Sequence, residues 1–213
     1  MKLTLMKNGW GASLLRGSWQ AFDTPGYKVG RLEKKLGQHS ADTTQILLDG
    51  CRVPQDAVLG EVGRGLQMTL SMVSDGRISI GAQAVGMARA AFEHALGYAK
   101  QRVTFGKPII DHQAVAFRLA DMAARIEVAR VYVREAARLL DAGVDASKEA
   151  SIAKLFATEI AERVCSDAIQ VFGGYGYLQD YPVERIYRDV RVCQIYEGTS
   201  DIQRLIIARK LAA

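Results

Sequence analysis

Three long stretches of this chain repeat apolar residues at alternating three- and four-residue steps, and that pattern restricts what it can fold into more than any other feature. Leu66, Leu70, Val73, Ile80, Ala84, Met87, Ala91 and Tyr98 mark the first, with Arg77 and His94 on the same stripe. Val115, Leu119, Met122, Ile126, Ala129, Val133, Ala136 and Leu140 mark the second. The third runs from about Lys148 to Val171, with Ile152, Phe156, Ile160, Val164 and Ala168 on one face. Steps of this kind follow the helical turn, so each stretch predicts one long amphipathic helix. The connections, around Gly106-Lys107-Pro108 and from Gly143 to Ser147, are short. Long striped helices with short links make a bundle. A further short helix is expected after Pro182, and a last one from Thr199 to the C-terminus.

Ahead of these stripes the composition changes. Residues 20–60 carry turn signals at Asp23-Thr24-Pro25-Gly26, Leu36-Gly37, Asp49-Gly50 and Val53-Pro54, with the short segments Tyr27–Arg31 and Thr43–Leu48 between them. Segments of that length bounded by Gly and Pro read as β-strands. Two or three strands do not make a stable sheet without partners, so the strand region reads as incomplete. The expected organisation is mainly α. Residues 1–20 are an unplaced lead, 21–60 a partial β-domain and 61–213 a helical bundle.

With 213 residues the chain is long enough to bury a real core. Charged residues make up 24% and hydrophobic ones 49%, the balance of an ordinary globular chain. The net charge of +5 comes from scattered Lys and Arg, without the dense run that marks a nucleic-acid arm, so no nucleic-acid partner is expected. A mild excess of cations suits an anionic small molecule such as a nucleotide or coenzyme A. The three cysteines Cys51, Cys165 and Cys193 stand far apart with no CxxC pair. That spacing points to neither a disulfide framework nor a zinc site, so no metal is expected, and it fits a reducing cytoplasm. No apolar run approaches the roughly eighteen residues of a membrane-spanning helix. The start, Met1 to Lys7, has too short an apolar core for a secretion signal.

The densest chemistry lies in Ile195-Tyr196-Glu197-Gly198-Thr199-Ser200-Asp201-Ile202-Gln203. A carboxylate closes the apolar run Val192 to Tyr196, a glycine follows, and a capped helix begins. A Glu leaving a buried segment sheds water, which makes it a usable base. Gly198 lets the backbone bend or a ligand come close. Thr199 or Ser200 can cap the helix, and Ser200 with Gln203 has capping-box spacing. The free N–H groups of that helix start are a perch for phosphate or another anion. The same letters also describe a surface Glu before an ordinary capped helix, and spacing alone does not separate the two.

Other groups carry two readings as well. Arg77 sits where the first helix should bury an apolar residue. It is either a side chain snorkelling at the bundle edge or a cation held near a carboxylate or an anionic substrate. His94 is a core residue by the same logic, with a weaker claim to function. Arg102-Val103-Thr104-Phe105-Gly106-Lys107-Pro108 ends the first helix. It reads as a plain helix end with dipole-matched cations, or as a pyrophosphate site in which Arg102 makes paired hydrogen bonds and Phe105 packs on a ring. Gln170-Val171-Phe172-Gly173-Gly174-Tyr175-Gly176-Tyr177 is glycine-rich but follows a helix, so it is not a dinucleotide fingerprint. It reads as a turn, or as backbone open to a nucleotide.

The order of these motifs resembles the C-terminal part of the acyl-CoA dehydrogenase family, from about Ala21 to the end. The matching pieces are Asp23-Thr24-Pro25-Gly26-Tyr27, Lys35-Leu36-Gly37, Arg52-Val53-Pro54, Leu59-Gly60 and Gly63-Arg64-Gly65. They continue through Gly76-Arg77, Arg102 to Pro108, His112-Gln113, Leu119-Ala120-Asp121-Met122, Gln170 to Gly174 and Tyr196 to Gln203.

The resemblance implies a C-terminal four-helix bundle behind a middle β-domain, assembled as dimers or tetramers. It implies an FAD enzyme that removes the α-proton of an acyl-CoA thioester while the β-hydride passes to the flavin. Electrons then leave to an electron-transfer flavoprotein. Glu197 matches the family's catalytic base. Some members carry that base on the first bundle helix, just before the matching arginine; here Gly76 holds that place. Ser74, Asp75, Gly76, Arg77 and Gly198 match substrate contacts. Arg102, Phe105, Gln113, the loop Gln170, Val171, Phe172, Gly173, Gly174, and the helix start Thr199, Ser200, Asp201 match FAD-binding positions, several of which serve a neighbouring subunit's flavin. Against that pattern, the amino-terminal helical domain and the earlier half of the β-domain have no counterpart here, and Met1 to Gln20 match nothing. Two expectations follow. The chain is an acyl-CoA dehydrogenase, alone or as a subunit supplying Glu197 to a partner, or it is an inert helical oligomerisation fragment. By itself it is expected to bind FAD weakly or not at all.

Overall fold

A computed structural model describes residues 3–6, 24–52, 54–55, 60–61 and 63–212. They divide into two compact units, Met1–Met68 and Thr69–Ala213. In the first, strands β1 (Leu3–Met6), β2 (Tyr27–Leu32) and β3 (Thr43–Leu48) form an antiparallel sheet in the order β1-β3-β2. The two strands expected from the sequence are present, and β2 runs one residue further than expected. The third strand comes from the lead that sequence leaves unplaced. β2 pairs with β3 from Tyr27↔Leu48 to Val29↔Ile46, then slips before Leu32↔Thr44. The Thr44 hydroxyl lies 3.0 Å from the carbonyls of both Gly30 and Arg31, placing its one hydrogen where either can accept it in the slipped segment. Val29, Leu32, Leu47 and Leu48 stay exposed, so this sheet buries little of its own apolar surface.

The second unit is helical. Its elements are α1 (Gly65–Gln101), α2 (Gln113–Asp141), α3 (Ser147–Phe172), α4 (Pro182–Val190) and α5 (Ser200–Leu211). The bundle is built from α1, α2, α3 and α5, and α3 is its hub, packing on α2, α4 and α5. A Cβ on Gly81 of α1 would stand 3.1 Å from Val133 of α2 and 3.6 Å from Ala153 of α3. Between α1 and α2 the chain makes a two-residue hairpin, β4 (Val103–Thr104) with β5 (Lys107–Pro108). Both tip residues, Phe105 (φ 50°) and Gly106 (φ 79°), are left-handed, which matches the twist of the flanking strands. α2 ends in a Schellman turn: Gly143 donates to Leu140 and Val144 to Leu139, at 2.9 and 3.1 Å. Lys210 near the end of α5 reaches Asp145 just beyond that turn, at 2.7 Å.

The expected stripe of α2 is buried from Leu119 through Met122, Ile126, Ala129 and Val133 to Ala136, while at its ends Val115 is half-buried and Leu140 is 38% exposed. The stripe of α3 requires correction. Ile160, Val164 and Ala168 are buried as expected, but Phe156 is 39% exposed. The innermost line is Ala150, Lys154, Ala157, Ala161, Cys165 and Ala168. A helix flanked on several sides favours short side chains on that line, with Lys154 the one long exception, and displaces bulky apolar ones such as Phe156 to its margins. In α1 the same rule selects Ala84, Ala88, Ala91, Ala95 and Ala99, all fully buried, whereas His94 is exposed rather than a core residue. The side chains of Leu66 and Leu70 lie outside the described residues. No helix among the described residues is long and apolar enough to cross a membrane. Among those residues no group of His, Cys, Asp and Glu could hold a metal ion.

Candidate active site

Residues from four segments converge on Glu197. The approach is a short 3-10 turn, Arg191–Gln194, continued by hydrogen bonds from Ile195 and Tyr196 to Val192. Cys193 is buried in it, but Ile195 is 52% exposed, so the apolar run is buried on one side only. Tyr196 ties this turn to α1, its hydroxyl donating to Gln83 Oε1 at 2.6 Å. The chain then reverses through two left-handed residues, Glu197 (φ 53°) and Gly198 (φ 89°). For a side chain as large as Glu this conformation costs about 1–2 kcal/mol. Gly198 has no such penalty, and a Cβ there would meet the Gln203 amide nitrogen at 2.7 Å.

The reversal aims the half-buried Glu197 carboxylate at α1. A Cβ built on Gly76 would lie 2.6 Å from Glu197 Oε2, so any side chain at position 76 would occupy the carboxylate's own space. Arg77, next along the helix, is only 7% exposed, which excludes a snorkelling role. Burial pushes its guanidinium below the ordinary range, and the charge of Glu197 pulls it back up. Ser74 and Asp75 are on α1, but their side chains lie outside the described residues.

Two residues that sequence reasoning did not assign to the site hold the reversal in place. Lys154 of α3 is fully buried, and its ammonium donates to the carbonyls of Cys193 (3.0 Å) and Gly198 (2.7 Å). Burial lowers its pKa to about 8, against the opposing pull of Cys193 and Glu197 and with the help of Arg77. Gln203 of α5 is also fully buried, and its amide nitrogen donates to the carbonyls of Glu197 (3.1 Å) and Gly198 (3.0 Å). The capping box therefore does not form. Thr199 caps α5 instead, accepting from the Ile202 N–H at 3.4 Å, while the buried Ser200 hydroxyl has no partner among the described residues. Asp201 is exposed and pairs with Arg204. The available signal was Lys154 recurring with Ala150, Ala157 and Ala161 at helical steps; a lysine inside a line of alanines is not a solvent residue.

The remaining predicted residues gather elsewhere. A cleft of about 440 Å³ is lined by Tyr98, Arg102, Val171, Phe172, Gly173, Gly174 and Tyr175, among others. Tyr98 stacks on Phe172 with ring centres 4.2 Å apart, and the Arg102 guanidinium sits 5.7 Å from the Tyr175 ring centre. A Cβ on Gly173 or Gly174 would meet nothing within 4 Å, so the backbone there is open to a ligand. Gln113 and Gln170 are exposed and do not line the cleft, and Phe105 is 97% exposed at the hairpin tip. Lys154 and Phe172 are eighteen residues apart on one helix, which separates the Glu197 site from the cleft by about 27 Å along the axis.

The family model for the acyl-CoA dehydrogenase C-terminal domain matches residues 63–212. An acyl-CoA dehydrogenase of Bacillus subtilis is 51% identical over 189 residues, which is 89% of this chain and 50% of that protein. The caffeyl-CoA reductase-Etf complex subunit CarC of Acetobacterium woodii is 44% identical, over 87% of this chain and 49% of that one. The structure of butyryl-CoA dehydrogenase from Megasphaera elsdenii superposes with a TM-score of 0.88 at 37% identity, over 100% of this chain and 56% of that chain. The chain thus spans about half the length of the curated relatives it matches, and it belongs to the acyl-CoA dehydrogenase family.

Proposed function

We propose that this chain carries the base of an acyl-CoA dehydrogenase, with Glu197 taking the α-proton of an acyl-CoA thioester. One observation carries the reading: the Glu197 carboxylate occupies the space in front of Gly76. The family's two alternative positions for the base therefore meet at one point, and here only one of them bears a carboxylate. An α-proton of a thioester is weakly acidic, so its base must be fixed and shielded from water. The left-handed turn fixes Glu197, and the buried cations Arg77 and Lys154 act on the same carboxylate. Ser74, Asp75, Gly76, Arg77 and Gly198 are the proposed substrate contacts. A positioned base contributes about 10²–10⁴-fold in rate.

FAD, when bound, supplies the acceptor for the hydride that leaves the β-carbon. The cleft residues fit such a group: Arg102 offers paired donors to a pyrophosphate, the tyrosines offer ring faces, and Gly173 and Gly174 offer bare backbone. Around the α5 start, Thr199, the unpartnered Ser200 hydroxyl and Asp201 offer a second set. The axial separation of about 27 Å supports a homo-oligomer, dimer or tetramer, in which one chain contributes to two flavins. Phe105, Gln113 and Gln170, exposed in the single chain, are assigned to a neighbour's flavin. An electron-transfer flavoprotein is the proposed electron acceptor, in keeping with the Etf complex named for the Acetobacterium relative. The free thiols of Cys51, Cys165 and Cys193 suit a reducing cytoplasm.

The test uses the purified chain at saturating FAD with butyryl-CoA and octanoyl-CoA. Base function predicts deuterium uptake at the α-carbon in D₂O, read by mass, and anaerobic bleaching of the flavin band. Glu197→Gln should abolish both. Retention of exchange by that variant removes Glu197 from the role, and a wild type that neither exchanges the α-proton nor bleaches the flavin favours the inert fragment.

A further inference from the structure

Among the described residues, the largest fully buried side chain is that of Lys154. A lysine in an alanine-lined helix core is costly to bury, and the loss of water is compensated only by what it touches. Among the described residues it pairs with no carboxylate directly. Its two hydrogen bonds both go to backbone carbonyls that bracket the base, Cys193 at four residues before Glu197 and Gly198 at one after. Gln203 approaches the same turn from α5 and reaches the Glu197 and Gly198 carbonyls. Only the amide nitrogen can satisfy two acceptors, which fixes the orientation of that side chain. The Gly198 carbonyl is therefore held from both sides, at 2.7 Å by Lys154 and at 3.0 Å by Gln203.

We propose that Lys154 and Gln203 are positioning residues for the reaction, a two-sided clamp on the peptide after Glu197 that keeps the base in its left-handed conformation and aimed at the space before Gly76. This rests on the reading of Glu197 as base. The physical reasoning is direct. A left-handed Glu relaxes toward the ordinary backbone regions unless its surroundings prevent it. Its own carbonyl and the next are the two groups whose direction changes most when that φ changes, and those are the two that Gln203 holds. Lys154 then ties the same peptide to α3 and to the entry turn at Cys193. The clamp touches no substrate, so its loss should be felt as misaimed chemistry rather than as lost binding.

Lys154→Met and Gln203→Met keep approximate length and remove the donors. Each should lower kcat for α-proton exchange with butyryl-CoA by ~10²-fold, the effect of a base misplaced by about 1 Å. KM should stay within about threefold, since ground-state contacts are untouched. In the Gln203→Met chain, the three-bond HN–Hα coupling of Glu197 should leave the value of a left-handed residue. In Glu197→Gln, the Lys154 side-chain titration, followed by NMR at its Cε, should move below that of the wild type, because the carboxylate's pull is lost. Arg77 from α1 and Cys193 from the entry turn also face this ammonium and are unchanged in that variant. A purely structural pair would lower Tm and leave kcat and the Glu197 coupling unmoved. Folded variants that exchange within twofold of wild type, with the Glu197 coupling intact, overturn the clamp. If Lys154→Met does not fold, Gln203→Met decides the matter. If the wild type exchanges no α-proton, the base assignment fails, and the coupling still decides whether the clamp holds the turn.

Discussion

At the scale of single residues, the space between Gly76 and Glu197 separates stability from chemistry. An alanine in place of Gly76 would improve the helix by about 1 kcal/mol, because glycine is the poorer helix former. Its methyl group would also displace the tip of a flexible carboxylate that now lies 2.6 Å from the Cβ position. Gly76→Ala should therefore raise or preserve Tm while reducing α-proton exchange by ~10²-fold, with thermal melts and mass-detected exchange measured on the same sample. Parallel losses of Tm and exchange would contradict this account. The periodicity of α1 alone puts Arg77 on the buried side, and it is there. The meeting of residue 76 with residue 197 is not written in any local pattern, because it depends on how a turn 121 residues later folds back onto that helix.

At the scale of elements, the chain announces its helices clearly and their inward lines less so. The turn chemistry at Gly143 and the proline at the start of α4 mark ends that agree with the structure to within a residue or two, whereas α1 ends at Gln101, five residues before Gly106. The error in α3 has one cause. Hydrophobic periodicity weights Phe156 and Ile152 by size, whereas a crowded bundle favours smallness, so alanine and cysteine occupy the innermost line, with Lys154 the one long side chain on it. Lys154 escaped notice for the same reason: its polarity masked its place in the alanine repeat. This phase is testable by denaturant unfolding. Ala157→Leu, at a fully buried position, should destabilise by about 1–3 kcal/mol through overpacking. Phe156→Ala, at a position left 39% exposed, should cost less than the roughly 3–5 kcal/mol of a core phenylalanine. The reverse ranking would place Phe156 inside.

For the whole molecule, three buried groups lead the response to alkaline pH, and Tyr27, Tyr98 and Tyr132, each raised chiefly by burial, add to the loss of stability above pH 10. Lys154 has its pKa lowered to about 8 from 10.5, so between those values the unfolded chain binds the extra proton and stability rises with pH. The Cys165 thiol is pushed up to about 12 from 9.0 by burial, so above pH 9 the folded chain holds a proton that the unfolded chain has lost, and stability falls. Cys193 shifts in the same direction, again chiefly by burial. Lys154 and Cys165 each contribute a slope of about 1.4 kcal/mol per pH unit within their windows. Lys154 acts alone from pH 8 to 9, and the two thiols outweigh it above that. Unfolding free energies measured from pH 7 to 11 should therefore peak near pH 9. Lys154→Met should remove the rise, and Cys165→Ala should soften the fall.

The length of α3 has a consequence for how this molecule can change over evolutionary time. One unbroken helix joins the carboxylate end to the aromatic cleft, so the two ends share a screw axis. Inserting a single residue between Lys154 and Phe172 would advance one end by about 1.5 Å and rotate it by about 100° relative to the other. Exchanging side chains at either end leaves that alignment intact, whereas adding or deleting one residue destroys it. The helix acts as a gauge block: its ends can be refitted independently, but its length cannot be altered by a single step.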